Sequence, residues 1–85
     1  MAQRIFLGVQ ITNRLENVQD VQEVLTKYGC NIKTRLGLHQ VTESHCSTTG
    51  LLILEMYGDE ASIFQMESKL QNIKGLTVKK MVFEE

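Results

Sequence analysis

Leu51-Leu52-Ile53-Leu54-Glu55-Met56-Tyr57 is the stretch whose reading decides the fold. It is apolar on both alternating faces apart from Glu55, as expected of a central strand covered on two sides. Downstream, Gly58-Asp59 turns the chain and Asp59 stands where a helix N-cap belongs. Ile63, Met66, Leu70 and Ile73 then recur at helical steps, and Gly75 supplies a stop. Leu76 and Val78 open a last strand whose final part, Met81-Val82-Phe83, is apolar on both faces.

Upstream, Gln40 to Gly50 is polar, rich in Ser and Thr, and reads as a hairpin connection longer than usual. Before it, Ile32, Thr34, Leu36 and Leu38 alternate with Lys33, Arg35, Gly37 and His39, the period of a strand. Leu15, Val18, Val21, Leu25 and Tyr28 form a helical stripe, opened by a capping box at Asn13 and Glu16 and closed by a left-handed Gly29. Ile5, Leu7, Val9 and Ile11 alternate with Phe6, Gly8, Gln10 and Thr12 to make the first strand.

The order is strand, helix, strand, strand, helix, strand, a pseudo-repeat of two strand–helix–strand halves. Right-handed crossovers place both helices on one face of a four-stranded antiparallel sheet. The expectation is therefore one domain over residues 1–85, a ferredoxin-like βαββαβ sandwich of the α+β class, with strands one and three central. The opposite face is expected to carry Phe6 with Lys33, Arg35 and His39, one alternate set of Leu51–Tyr57, and Met81 or Phe83. Left in water, it would form an apolar patch of the kind that marks an interface. A homodimer or higher oligomer is expected to cover it.

Size supports that expectation. A chain of 85 residues buries only about 60% of its unfolded surface, so self-association adds burial where the core is small. Nine basic and ten acidic residues leave a formal charge of −1, with no general pull toward nucleic acid or anionic membrane. No long apolar stretch suits a membrane span, and a cytoplasmic location is expected. Cys30 and Cys46 are too few for a disulfide framework and form no C-x-x-C pair, so both read as reduced thiols, Cys30 as a small packed side chain.

Candidate chemistry is sparse. His39, His45 and Cys46 lie in one strand–loop segment and offer imidazole nitrogen and thiolate sulfur, donors suited to nickel, copper or zinc. Gly8-Val9-Gln10 followed by Arg14 is faintly similar to the phosphate cradle of acylphosphatases, yet Ile11-Thr12-Asn13 lacks the glycines that a cradle needs. Lys33, Arg35 and Phe6 on an open sheet fall short of the aromatic-rich strand motif that stacks RNA bases. Asp59-Glu60 and Glu84-Glu85 are sequence neighbours, not an acid and base facing across a cleft. The reading is of a protein that is not an enzyme.

Arg4-Ile5-Phe6-Leu7-Gly8-Val9, Lys27-Tyr28-Gly29, Thr34-Arg35-Leu36-Gly37-Leu38, Gly50-Leu51-Leu52-Ile53-Leu54 and Gly75-Leu76-Thr77-Val78-Lys79 together resemble the small ACT-like proteins known as iron-only hydrogenase system regulators. The resemblance runs over nearly the whole chain. It implies a regulatory, ligand-sensing module that pairs with itself and holds a small effector in the loop between the first strand and first helix. Here that loop offers Asn13, Arg14 and Leu15, without the glycine common in amino-acid-binding members. The segment is also similar in fold to the metal-sensing domain of nickel-responsive repressors, in which His45 and Cys46 would stand at the start of the third strand. That likeness implies a divalent metal as an alternative ligand, and the chain has no counterpart of the repressors' DNA-binding segment before Arg4.

Overall fold

A computed structural model describes residues 3–12, 14–41 and 46–84 of the chain. Strand β1 spans Gln3–Ile11, helix α1 Arg14–Lys27, β2 Ile32–Val41, β3 Cys46–Met56, helix α2 Glu60–Gln71 and β4 Leu76–Glu84. The four strands form one antiparallel sheet in the order β2-β3-β1-β4, with β1 and β3 central as the apolar runs require. This is the ferredoxin-like α+β sandwich.

One core lies between the sheet and the two helices. Ile5, Leu7, Val9 and Ile11 of β1 meet Leu54 and Met56 of β3, Val21 and Leu25 of α1, and Ile63, Met66 and Leu70 of α2 in a single buried cluster. Each fully buried side chain of this size contributes about 1.5–3 kcal/mol relative to exposure. Tyr28 completes the α1 stripe, and Ile73 packs half-buried at the end of the α2 stripe.

Three local devices pin the elements. The Asp59 carboxylate caps α2, Oδ2 accepting from the Ser62 backbone N–H at 3.1 Å and its hydroxyl at 2.6 Å. α2 ends at Gln71 with a right-handed C-cap at Asn72, so Gly75 is not its stop; at φ +90° Gly75 serves the turn into β4, and its carbonyl accepts from the Thr12 backbone N–H at 3.1 Å and hydroxyl at 2.8 Å. Between α1 and β2 a one-turn 3-10 helix, Gly29–Asn31, is tied to the end of β3. There the Tyr57 N–H donates to the Asn31 carbonyl at 2.7 Å, and Asn31 Nδ2 donates to the Tyr57 carbonyl at 3.0 Å.

Four further expectations need correction. Gly29 is not left-handed: positive φ among the described residues belongs to Gly58 and Gly75, and the 3-10 turn takes the place of a glycine stop. Cys30, in that turn, is exposed rather than packed. The stretch from Gln40 to Gly50 is largely strand, with β2 running to Val41 and β3 beginning at Cys46.

The fourth correction decides the surface. The β2–β3 ladder pairs Ile32 with Met56 and then Thr34 with Glu55, consecutive on β3 but separated by Lys33 on β2. Lys33 is thus the extra residue of a β-bulge, and a one-residue slip exchanges the faces of everything after it. Arg35, paired with Leu54, takes the helix-side register, and Thr34, Leu36 and Leu38 take the open side. His39, opposite Gly50, likewise shares the register of Ile11.

Candidate functional site on the open sheet face

Directly opposed residues of an antiparallel ladder share a face, so the registers give the open face row by row. One row reads Leu38, Leu51, Gln10, Thr77 across β2, β3, β1 and β4. The next reads Leu36, Ile53, Gly8, Lys79, and the third Thr34, Glu55, Phe6, Met81. Arg4 beside Phe83 closes the series. The face is apolar and bare: Leu36, Leu38, Met81 and Phe83 are 52, 47, 51 and 52% exposed, against 0% for Leu7 and Leu54 on the covered side.

Its apolar residues fall into two groups on one diagonal. Leu36, Leu38, Leu51 and Ile53 occupy the corner formed by β2 and β3. Phe6, Met81 and Phe83 occupy the opposite corner, where the Phe6 and Phe83 rings meet edge to face with centroids 6.1 Å apart. The other two corners are polar, one with Gln10, Thr77 and Lys79, the other with Thr34 and Glu55.

Glu55 is the buried charge of the molecule's described part. Its Oε2 accepts from Arg4 Nε at 2.9 Å and its Oε1 from the Thr34 hydroxyl at 3.2 Å, while the Arg4 guanidinium also stands 5.4 Å from the Phe6 ring centroid. The Arg4 hydrogen bond is the main reason that the Glu55 pKa lies below the ordinary carboxylate range; burial opposes it, and the charges of Arg4 and Lys33 assist. A buried carboxylate without such partners would be costly, so the three residues act as one unit. The sequence carried a signal for it: a lone acid in an otherwise apolar central strand demands a cation on a neighbouring strand.

Beside this unit a cleft of about 610 Å³ opens between the sheet end and the start of α2. Arg4, Lys33, Glu55 and Glu60 contribute two charges of each sign to its wall, so it favours neither cations nor anions.

The sequence-predicted sites are only partly reached. Asn13 and His45 lie outside the described residues. Arg14 and Leu15 open α1, His39 lies in β2 and Cys46 begins β3, and the side chains of these four also lie outside what is described. The backbone register sets Cys46 opposite Val41 and His39 opposite Gly50 at the same end of the hairpin, not opposite each other. Among the described residues searched, no group of three His, Cys, Asp or Glu is placed to hold a metal, and no helix is long and apolar enough to cross a membrane.

No protein-family model matches the chain, and no curated protein matches it. Solved structures do. The chain is similar to the uncharacterized protein TM1266 from Thermotoga maritima, with TM-score 0.80 and 20% identity, over 98% of this chain and 100% of that one. It is similar to part of a formyltetrahydrofolate deformylase from Pseudomonas putida, with TM-score 0.55 and 11% identity, over 92% of this chain and 28% of the enzyme. A dimeric ferredoxin-like protein from an uncultured marine organism gives TM-score 0.52 and 10% identity, over 95% of this chain and 92% of that one. At these identities the likeness establishes the ferredoxin-like fold.

Proposed function

We propose that this protein is a non-catalytic, ACT-like regulatory or small-ligand-sensing module that works as an oligomer of itself, a regulator of transcription or of a hydrogenase system. The observation that carries the reading is the bare apolar face, since exposed leucine, methionine and phenylalanine on β2, β3 and β4, beside a half-buried Phe6 on β1, are costly in water and suit a protein partner. Self-assembly accords with the dimeric ferredoxin-like neighbour, and a modular role accords with a fold that makes up 28% of the deformylase. The regulatory element rests on the sequence resemblance, with Asn13, Arg14 and Leu15 at the entry to α1 as the ligand loop, where helix N–H groups favour an anion.

Sedimentation equilibrium at micromolar concentration, followed by thermal melts against a panel of amino acids and small anions, tests the reading. A dimer or larger species whose melting temperature rises with one of these compounds supports it. A monomer indifferent to the whole panel overturns it.

The alternative reading is a nickel- or zinc-binding domain using His39, His45 and Cys46. In its favour, β2 and β3 bring His39 and Cys46 to one end of the same hairpin. Calorimetric titration with each metal separates the readings: tight binding lost in His45→Ala and Cys46→Ala supports the metal.

A further inference from the structure

We infer that the occupant of the open face is a second copy of the same face, stacked with its strands nearly at right angles about a two-fold axis along the apolar diagonal. This rests on the oligomeric reading above and adds its geometry.

The pattern of the face selects the arrangement. The polar corners lie on the other diagonal, so a two-fold axis parallel to the strands would set Leu36 and Leu38 of one copy on Thr77 and Lys79 of the other. An axis perpendicular to the strands, within the interface, would set Leu36 on Thr34 and Ile53 on Glu55. Both arrangements desolvate polar groups against apolar ones. An axis along the line from Leu38 to Phe83 leaves each apolar corner facing its own equivalent. It also exchanges the two polar corners, so that Lys79 of each copy meets Glu55 of the other. Lys79 there meets a carboxylate that already pairs with Arg4 of its own copy, and this polar contact occurs twice, as a two-fold interface requires. Sheets packed face to face adopt either a small angle or one near 90°, and the diagonal axis requires the second.

Size is compatible with a second copy. Four strands about 4.8 Å apart, over the length from Arg4 to Gln10 at about 3.4 Å per residue, present about 450 Å² of flat sheet per copy. Two copies together approach the roughly 1,000 Å² that a specific interface needs before side-chain relief is added. Gly8, near the middle of the face, adds no side chain and lets the copies approach.

The experiment uses the full chain with Cys30→Ser and Cys46→Ser, into which Thr34→Cys and Lys79→Cys are placed singly and together. The two positions lie on opposite edge strands of one sheet, out of reach of a short bismaleimide within a single copy, but opposed across the inferred interface with sheets about 10 Å apart. The double variant is expected to give a covalent dimer and each single variant none. Lys79→Glu in the otherwise natural chain is expected to raise the dimer dissociation constant by about tenfold, with Lys74→Glu, remote from the face, leaving it unchanged. A dimer that gives no link in the double variant, or in which Lys79→Cys alone links to itself, overturns the right-angled stacking while leaving self-association intact. A monomer by sedimentation overturns both.

Discussion

The two strand–helix–strand halves of the chain share an order of elements and differ in how helix gives way to strand. In the second half α2 ends at Gln71, a left-handed Gly75 completes the turn that follows, and β4 then runs beside β1 from Gln3↔Glu84 to Ile11↔Leu76 without a register shift. In the first half α1 ends in a 3-10 turn with no left-handed glycine, and β2 enters the sheet through the Lys33 bulge. The lesson is that a fold can tolerate an irregular entry on an edge strand and still keep its hydrophobic pattern, because the extra residue changes only which side chains look outward.

The largest effect expected from this contrast comes from shortening each edge strand by one residue. Removing Val78 from the uninterrupted β4 ladder moves either Leu76 off the core or Lys79, Met81 and Phe83 onto the helix side, and is expected to cost several kcal/mol, ~3 or more, in urea melts. Removing Lys33 instead joins Ile32 and Thr34, which already pair with consecutive residues of β3. It is expected to change stability by less than about 1 kcal/mol and to leave the open face as it is. Comparable losses from the two deletions would contradict the bulge.

A smaller difference is expected at the two glycines that lie between helix and strand. Gly75→Ala forces a Cβ into the left-handed region and is expected to cost about 1–2 kcal/mol. Gly29→Ala meets nothing within 4 Å and has no such φ, so it is expected to be neutral or to stabilise by up to about 1 kcal/mol. Paired thermal melts measure both, and an equal loss at the two positions would remove the distinction between the halves.

The smallest effect is acid dependence, which the second half dominates. Glu55 is held below the ordinary carboxylate range chiefly by Arg4, and Asp59 chiefly by the Ser62 hydroxyl and then its backbone N–H. For both, the folded carboxyl releases its proton more readily than the unfolded one. Their stabilisation is therefore complete above the ordinary carboxylate range and lost as pH falls through that range toward the lower folded values. Glu55→Gln and Asp59→Ala should each flatten the fall of melting temperature between neutral and acid pH. A Glu55→Gln profile parallel to that of the natural chain would mean that the Arg4–Glu55 pair contributes nothing.

Much of the architecture was legible because period and length are local properties. The Leu51–Tyr57 run announced a central strand, Ile63, Met66 and Leu70 announced the buried stripe of α2, and Asp59 announced its start, whereas Gly75 marked the turn into β4 and not the helix end at Gln71. The open face was legible in kind but not in content. Alternation predicts which residues share a side only while the register is unbroken, and Ile32 and Thr34, two apart in sequence, here sit opposite neighbours on β3. Nothing in Lys33 itself distinguishes a bulged residue from a paired one. The Arg4–Glu55 contact spans 51 positions of sequence, so only the sheet topology brings its members together. Gly29 misled for a related reason: glycine permits the left-handed conformation without requiring it.

The bulge at Lys33 also works as a phase selector. In an unbroken ladder, Lys33 and Arg35 would take the outward positions opposite Glu55 and Ile53, and the second edge of the sheet would be a cationic stripe suited to acidic partners. One surplus residue replaces that stripe with Leu36 and Leu38. Among chains built on this plan, insertion or loss of a single amino acid at the β2 entrance can therefore exchange one class of companion for another while every buried contact of β1, β3 and the two helices is retained.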